Sequence, residues 1–367
     1  MSKIRLMSLF SGIGAIEQAL KRLNIDFEVK LASDIDPFVK KSYFANYNLD
    51  ESNWIDDVNN IKTTKYVNKI DLIMGGSPCQ SFSTVGFRKG LSDDRGNLIF
   101  KFINIVKKVK PKVFIFENVK GLLSHNKGET WKIIITEFEK TGYKIYYKVL
   151  NSKDYGIPQH RERLYLIGFK NKKTKFEFPK AILLKYKVKD FLLDKADPKY
   201  YLGKKGVDFV TSRKNHKYKV QINQDIMLCQ KANQQFNWHG DFVEDVEGKP
   251  IPDKYFLSEA VKKYVLSSGT KNFYQKPETD LEIARPLLSS MGSMHRAGID
   301  NYYTYGRKIR KLTPRECLRL MGFTDDFKIV VSDTQMYKQA GNSIVVNVLM
   351  HILKQIYLVK NKNEIKT

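Results

Sequence analysis

Four polar groups stand where this chain could do chemistry: Cys79, Glu117, the pair Arg161 and Arg163, and Asn342. Cys79 follows the stretch I-D-L-I-M-G-G-S-P at 70–78, and a thiolate is the most easily prepared nucleophile among side chains. Glu117 closes the apolar run V-F-I-F at 113–116 and puts a carboxyl group at its end. Arg161 and Arg163 flank Glu162, and Asn342 lies in Q-A-G-N-S-I at 339–344. If these groups converge, they describe addition of a thiolate to an electron-poor ring, with a carboxylic acid on a ring nitrogen and an arginine on a carbonyl oxygen. Taken singly, each has an ordinary role, and a cysteine after a strand is often a core residue.

The elements that must position them are legible as alternating strands and helices. Ile70–Met74 reads as a buried strand, ended by Gly75-Gly76, with Pro78 setting the path of the chain just before the thiol. Side chains at the carboxyl ends of strands in an open α/β sheet lie where such folds place their sites. Ile4–Phe10 reads as a first strand, Ser11-Gly12-Ile13-Gly14 as a glycine turn, and Ile16, Ala19, Leu20 and Leu23 as one face of a helix. A short strand over Phe27–Ala32 then leads to Asp34, twenty residues beyond Gly14. That pattern suits a small adenosine-containing ligand, with a carboxylate on the ribose, better than a dinucleotide, and it also suits a plain βαβ turn. Asp57 offers a second acid, either for an adenine amino group or as ordinary surface polarity. Helices are predicted over Asn97–Val109 and Glu129–Thr141, and strands over Val113–Phe116, Ile145–Leu150 and Arg163–Gly168. Strand alternation puts Arg161 and Arg163 on one side and Glu162 on the other. Residues 80–96 form a long polar loop, basic in parts, of the kind used as lids or binding loops.

The 367 residues suffice for one large core and a smaller domain. Lysine and arginine number 64 against 39 acids, a formal charge of +25, which favours a polyanionic partner, nucleic acid first; a lysine-rich composition bias is the plainer reading. The three cysteines, Cys79, Cys229 and Cys317, have neither metal-ligand nor C-x-x-C spacing. No apolar stretch is long enough for a signal peptide or a membrane span, so a reducing, cytoplasmic setting is expected. From about Lys185 to residue 309 the chain is polar, irregular and rich in Lys, Asn, Gln, Tyr and Gly, and reads as a second domain of loops and short strands. Regularity returns at Thr313-Pro314-Arg315-Glu316, a capped helix start that turns Cys317 inward. Gln339–Met350 is expected to open an apolar helix with Asn342-Ser343 at its N-terminal end.

With these motifs in order, the sequence resembles the bacterial DNA (cytosine-5)-methyltransferases of restriction-modification systems. The resemblance rests on F-S-G-I-G at 10–14, G-G-S-P-C-Q-S-F-S at 75–83, D-D-R-G-N-L at 93–98 and F-E-N-V at 116–119. It continues through Q-H-R-E-R-L-Y at 159–165, R-K-L-T-P-R-E-C-L-R-L-M-G-F at 310–323 and Q-A-G-N-S-I at 339–344. It implies a mixed, Rossmann-like S-adenosylmethionine-dependent methyltransferase fold with helices on both faces, and a second, smaller, irregular or β-rich target-recognition domain. The implied division is 1–184 catalytic and cofactor-binding, 185–309 target-recognizing, 310–334 a hinge, and 335–367 completing the catalytic domain.

The resemblance also implies roles. Cys79 would add to C6 of a cytosine flipped out of duplex DNA, Glu117 would engage N3 and the exocyclic amine, and Arg163 would hold O2 with Arg161 beside it. The loop after Cys79, with Val85 near its tip and Arg88 and Lys89 beyond, would close over the DNA. S-adenosyl-L-methionine, leaving as S-adenosyl-L-homocysteine, would be held by Phe10, Gly12, Gly14, Asp34, Ile35, Asp57, Val58, Leu98, Asn342 and Ser343, with no metal. Ala15, Ile35 and His160 depart from the common pattern; Ile35 exchanges an aromatic stack on adenine for aliphatic contact. Base readers are expected near residues 285–310. A monomer on double-stranded DNA is implied, nucleoid-associated in the cytoplasm, with a paired restriction endonuclease as a functional partner. Two other readings use much of the same sequence: a tRNA cytosine-5 methyltransferase on this scaffold, and a catalytically silent DNA-binding protein. Activity on free dCMP or dUMP would mark a third, a nucleotide-modifying enzyme.

Overall fold

The computed structural model describes residues 3–78, 98–194, 196–197, 225, 239–241, 256–266, 278–289, 298–305 and 308–364. Cys79, the loop that follows it through residue 97, and most of 185–309 lie outside the described residues. The chain divides into two compact units. One comprises Met1–Leu150, Glu162–Lys180 and Val348–Thr367; the other comprises Asn151–Arg161 and Ala181–Asn347.

The first unit is built on a seven-stranded sheet. In chain order its elements are β1 (Ile4–Leu9), α1 (Ala15–Arg22), β2 (Phe27–Ser33), α2 (Pro37–Asn46), β3 (Trp54–Ile55) and β4 (Leu72–Gly75). They continue with α3 (Leu98–Val109), β5 (Val113–Val119), α4 (Glu129–Glu139), β6 (Lys144–Asn151) and β7 (Glu162–Phe169). The strand order is β3-β2-β1-β4-β5-β7-β6. Pairing is parallel from β3 through β5 and antiparallel between β5 and β7. The chain leaves β1 toward β2 on one side and later returns to β4 on the other, so β1 and β4 flank a topological switch point, where open α/β sheets hold ligands.

The central strands read as unbroken apolar runs because both of their faces are covered. All four residues of β4 are buried, and β5 is buried from Phe114 to Asn118. Helix α3 contributes Ile99, Phe102, Ile103, Ile105, Val106 and Val109 to the interior. The ring of Phe102 meets those of Phe114 and Phe116 at 6.0 and 5.1 Å, and Phe138 of α4 closes the group at 5.5 Å from Phe114.

In the second unit the described strands β8 (His239–Asp241), β9 (Gly298–Tyr305) and β10 (Lys308–Lys311) form a sheet in the order β10-β9-β8. Helices α5 (Glu259–Val265), α6 (Pro314–Arg319) and α7 (Asp333–Asn342) belong to the same unit. The start of α6 is a capping box: Thr313 Oγ1 accepts from Glu316 N at 3.2 Å, and Glu316 Oε2 accepts from Thr313 N at 2.7 Å. Cys317 is buried behind it.

One expectation about the C-terminal region is corrected. Asn342-Ser343 does not open a helix; Asn342 ends α7, Ser343 is extended at φ −70° and ψ 160°, and the long helix α8 (Val346–Glu364) begins three residues later. The cause lies at Gly341. A Cβ there would fall 1.9 Å from the Leu288 carbonyl carbon and 2.0 Å from Ser289 N, so α7 packs backbone against backbone at its last turn. Among the described residues, no helix is long and apolar enough to cross a membrane.

Candidate active site

The parallel register of β4 and β5 sets Gly75 beside Phe116, so the chain emerges toward Cys79 next to Glu117. Gly75 must be glycine, because a Cβ would meet Phe102 Cε2 at 2.9 Å and the Leu9 carbonyl oxygen at 3.0 Å. Beyond it, Asn118 Nδ2 donates to the Ser77 carbonyl at 3.1 Å, with Ser77 Oγ at 3.4 Å. This latch ties the residue after Glu117 to the Ser77-Pro78 step that delivers Cys79. The cysteine itself lies outside the described residues. The latch joins positions 41 residues apart, and the one sequence signal for it is an amide next to the strand-end carboxylate.

Antiparallel pairing of β5 with β7 sets Glu117 opposite Tyr165 and Val119 opposite Arg163. Arg163 is two residues from Tyr165, so it projects on the same face as Glu117 as a diagonal neighbour. Arg163 Nε lies 3.4 Å from Glu117 Oε1, and both side chains are largely buried. Arg163 Nη1 also donates to the Glu162 carbonyl at 2.8 Å. Glu162 points elsewhere, to Lys120 Nζ at 2.9 Å. A carboxyl and a guanidinium thus share one partly enclosed face beside the Ser77-Pro78 step.

Arg161 belongs to the second unit and precedes β7. Its side chain is 3% exposed. Nη1 donates to the Leu287 carbonyl at 3.3 Å, and Nη2 donates to the carbonyls of Gly341 and Ser343 at 3.1 and 2.8 Å. The last carbonyls of α7 have no intrahelical partner, and a cation at a helix C-terminus is electrostatically favourable. Arg161 is thus the cap of α7, and its fork holds the segment that contains Asn342 and Ser343. Gln159 makes a second tie in this unit: its Nε2 donates to the Leu320 carbonyl at 2.8 Å, and its Oε1 accepts from Leu287 N at 3.2 Å. Arg285 is equally internal, 1% exposed and 2.9 Å from Glu278, which removes it from the residues that could read a base edge.

At the end of β1 the chain turns through three left-handed residues: Phe10 at φ 50°, Gly12 at φ 53° and Gly14 at φ 78°. Ser11 pins this turn to β2, its hydroxyl donating to the Ser8 carbonyl at 2.9 Å and accepting from Ser33 N at 3.0 Å. Asp34 reaches back across it. Its Oδ2 accepts from Gly12 N at 2.9 Å and its Oδ1 from Asp36 N at 3.1 Å. A Cβ on Gly12 would meet nothing within 4 Å, so the space over that peptide is open. Beside it Ile35 is 77% exposed and Phe38 is 47% exposed, two apolar side chains turned outward next to a carboxylate. Open backbone, carboxylate and apolar surface fit an adenosine-bearing ligand: Asp34 offers acceptors for ribose hydroxyls and Ile35 a face for the base. Phe10 and Leu98 each pack against the first unit's core. Val58 is buried there, and Asp57 Oδ1 accepts from Asn59 N at 2.8 Å. Among the described residues, no group of three His, Cys, Asp or Glu side chains could hold a metal.

A buried carboxyl group lies just behind the turn and was not anticipated from the sequence. Glu17 of α1 is fully enclosed, and the Tyr43 hydroxyl donates to its Oε1 at 2.7 Å. Burial pushes this carboxyl up from its ordinary value, offset only in part by hydrogen bonds from Tyr43 and Ser8.

This arrangement belongs to the S-adenosylmethionine-dependent methyltransferases. The chain is a member of the C-5 cytosine-specific DNA methylase family, whose profile matches residues 4–358. It transfers a methyl group from S-adenosyl-L-methionine to C5 of cytosine in DNA. The orphan methyltransferase M.SPRI of Bacillus phage SPR is 33% identical, over 97% of this chain and 98% of its own length. The Type II methyltransferase M.HhaI of Haemophilus parahaemolyticus is 32% identical, over 96% and 94%. The crystal structure of the S. pombe Dnmt2 methyltransferase aligns over 99% of this chain and all of its own with a TM-score of 0.64; at 18% identity this is a likeness of fold alone.

Proposed function

We propose that this enzyme methylates one cytosine within a specific short duplex sequence, with Cys79, Glu117 and Arg163 as its catalytic residues. The observation that carries this reading is the Glu117–Arg163 pair at the end of β5, together with the Asn118–Ser77 latch that ties the step before Cys79 to the same strand end. The target base leaves the helix to reach them. The Cys79 thiolate forms a bond to C6, and the electron pair displaced from the C5–C6 bond makes C5 nucleophilic. Glu117 engages N3 and the exocyclic amine, easing that addition, while Arg163 holds O2 and stays fixed by its contact with Glu117. S-adenosyl-L-methionine, when bound, supplies the methyl group and departs as S-adenosyl-L-homocysteine. Loss of the C5 proton and expulsion of the thiolate then restore the aromatic ring. Arg161 positions the Asn342-Ser343 segment through the carbonyls it holds.

Cofactor binding is assigned to Phe10, Gly12, Gly14, Asp34, Ile35, Asp57, Val58, Leu98, Asn342 and Ser343, a reading supported by the open glycine turn and the Asp34 carboxylate beside it, with no metal. Residues 185–309 are assigned to target recognition, 310–334 to the return of the chain, and 335–367 to completing the catalytic domain. The enzyme would act as a monomer in the cytoplasm, associated with the nucleoid through its DNA. Its relatives include both orphan and Type II enzymes, so a paired endonuclease is one of two genetic settings.

The deciding experiment is bisulfite sequencing of plasmid from a methylation-deficient host expressing the chain, beside a Cys79→Ser control. Protected cytosines recurring in one short sequence, and absent in the control, are expected. Equal protection with Cys79→Ser would refute the nucleophile; no protection by soluble wild-type protein would refute the DNA reaction.

A further inference from the structure

Both glycines of the cofactor turn take a left-handed φ, but their surroundings differ. Gly12 faces open space, whereas a Cβ on Gly14 would lie 2.2 Å from Cε2 and 2.6 Å from Cζ of Tyr47. Tyr47 caps the C-terminal end of α2, its N–H bonded to the Tyr43 carbonyl at 2.9 Å. Its ring fills the volume that a side chain at position 14 would need. Its hydroxyl lies 2.8 Å from the Gly14 carbonyl oxygen and 3.2 Å from that of Ile13. A carbonyl held in place holds its whole peptide plane. The phenol therefore helps to fix the two planes that also carry the Gly14 and Ala15 N–H groups, beside the Gly14 N–H bond to the Ser11 carbonyl at 3.0 Å and the Gln18 N–H bond to the Gly14 carbonyl at 2.9 Å. Gly14, with its left-handed φ, is the helix's N-cap residue and has no side chain with which to cap. Tyr47 is itself anchored: its ring lies 4.9 Å from that of Tyr43, whose hydroxyl is bound to buried Glu17 of α1.

We propose that Tyr47 is a positioning residue for S-adenosyl-L-methionine: it holds the Ile13–Gly14 peptides in the cofactor-binding conformation without touching the cofactor. Glycine at position 14 both takes the left-handed φ of 78° and admits the Tyr47 ring. This rests on the cofactor reading of the turn.

The test is Tyr47→Phe, which keeps the ring and removes only the hydroxyl. Two readouts are taken: calorimetric binding of S-adenosyl-L-methionine, and amide hydrogen exchange of the unliganded protein. The dissociation constant should rise about twofold to twelvefold, the range one intramolecular hydrogen bond is worth. Exchange should speed up at Gly14 and Ala15 and not along β1 or the body of α1, with DNA affinity unmoved. A dissociation constant within twofold of wild type overturns the proposal. So does uniform acceleration across β1 and α1, which would mark a general packing role. If wild-type protein binds no S-adenosyl-L-methionine, the cofactor reading itself has failed; exchange at Gly14 and Ala15 unchanged by Tyr47→Phe would then separately overturn the brace.

Discussion

Asp34→Asn separates two jobs that one carboxylate performs. Both oxygens of Asp34 are occupied by backbone N–H groups, Gly12 at 2.9 Å and Asp36 at 3.1 Å. A carboxylate has about four acceptor positions over two oxygens, against about two on the single oxygen of an amide. Asparagine keeps the shape but offers one acceptor oxygen. Whichever way its amide is turned, one backbone N–H faces an NH2 group. Hydrogen bonds to a charged partner are worth about 1.5–3 kcal/mol each, and the retained one weakens when it becomes neutral. Asp34 is only half-buried, so water recovers part of the loss. The expected total is about 1.5–3 kcal/mol, equivalent to roughly 10-fold to 150-fold in an equilibrium constant. Calorimetry with S-adenosyl-L-methionine and S-adenosyl-L-homocysteine gives the share falling on affinity, and urea unfolding of the unliganded protein gives the share falling on stability. A loss mainly in affinity means the turn is ordered by the ligand; a loss mainly in stability means Asp34 pre-forms it. An Asp34→Asn protein unchanged within about 0.5 kcal/mol in both measurements would refute the role of Asp34 as the clasp of the turn.

Glu17→Gln should change the pH dependence of stability. The Glu17 carboxyl is raised by burial, so wild-type protein loses stability relative to Glu17→Gln as pH rises above the ordinary carboxylate value of about 4.3 and through the folded value. Urea unfolding of both proteins at about pH 5 and pH 8 reads this, and a difference independent of pH would contradict it. Ile35→Trp should tighten S-adenosyl-L-methionine binding, since the 77% exposed side chain leaves room for an indole; aromatic stacking at about 0.5–1.5 kcal/mol predicts roughly twofold to twelvefold. Unchanged or weaker binding by calorimetry would reject the stacking argument.

Much of the first unit was legible because its elements are locally consistent. Apolar runs ended by glycine mark β1 and β4, and periodic apolar residues mark α1, α3 and α4. The reading of 339–350 as one helix start failed because its governing contact is long-range. Helix propensity runs through Gln339 and Ala340, and the contacts at the point where the chain stops are long-range: the backbone of Leu288-Ser289, some fifty residues away in sequence, packs on Gly341, and Arg161 takes the Gly341 and Ser343 carbonyls. The same limit hid Tyr47 from a local reading: 33 residues separate it from the carbonyl it holds, and a tyrosine after a helix has no distinguishing pattern.

The two arginines show how far local periodicity reaches. Alternation treats Arg161 and Arg163 alike, but alternation operates only within a strand, and β7 begins at Glu162. Arg163 lies inside the ladder opposite Val119, and its direction follows from the register that also orients Glu117. Arg161 lies one residue outside, and its direction is set instead by the three carbonyls to which it donates. Two identical side chains, one residue apart on either side of Glu162, therefore have different chemistry. Arg163 lies beside the Glu117 carboxyl group on one face of the sheet. Arg161 is enclosed by backbone oxygens and holds the end of α7, and with it Asn342 and Ser343, in a fixed conformation.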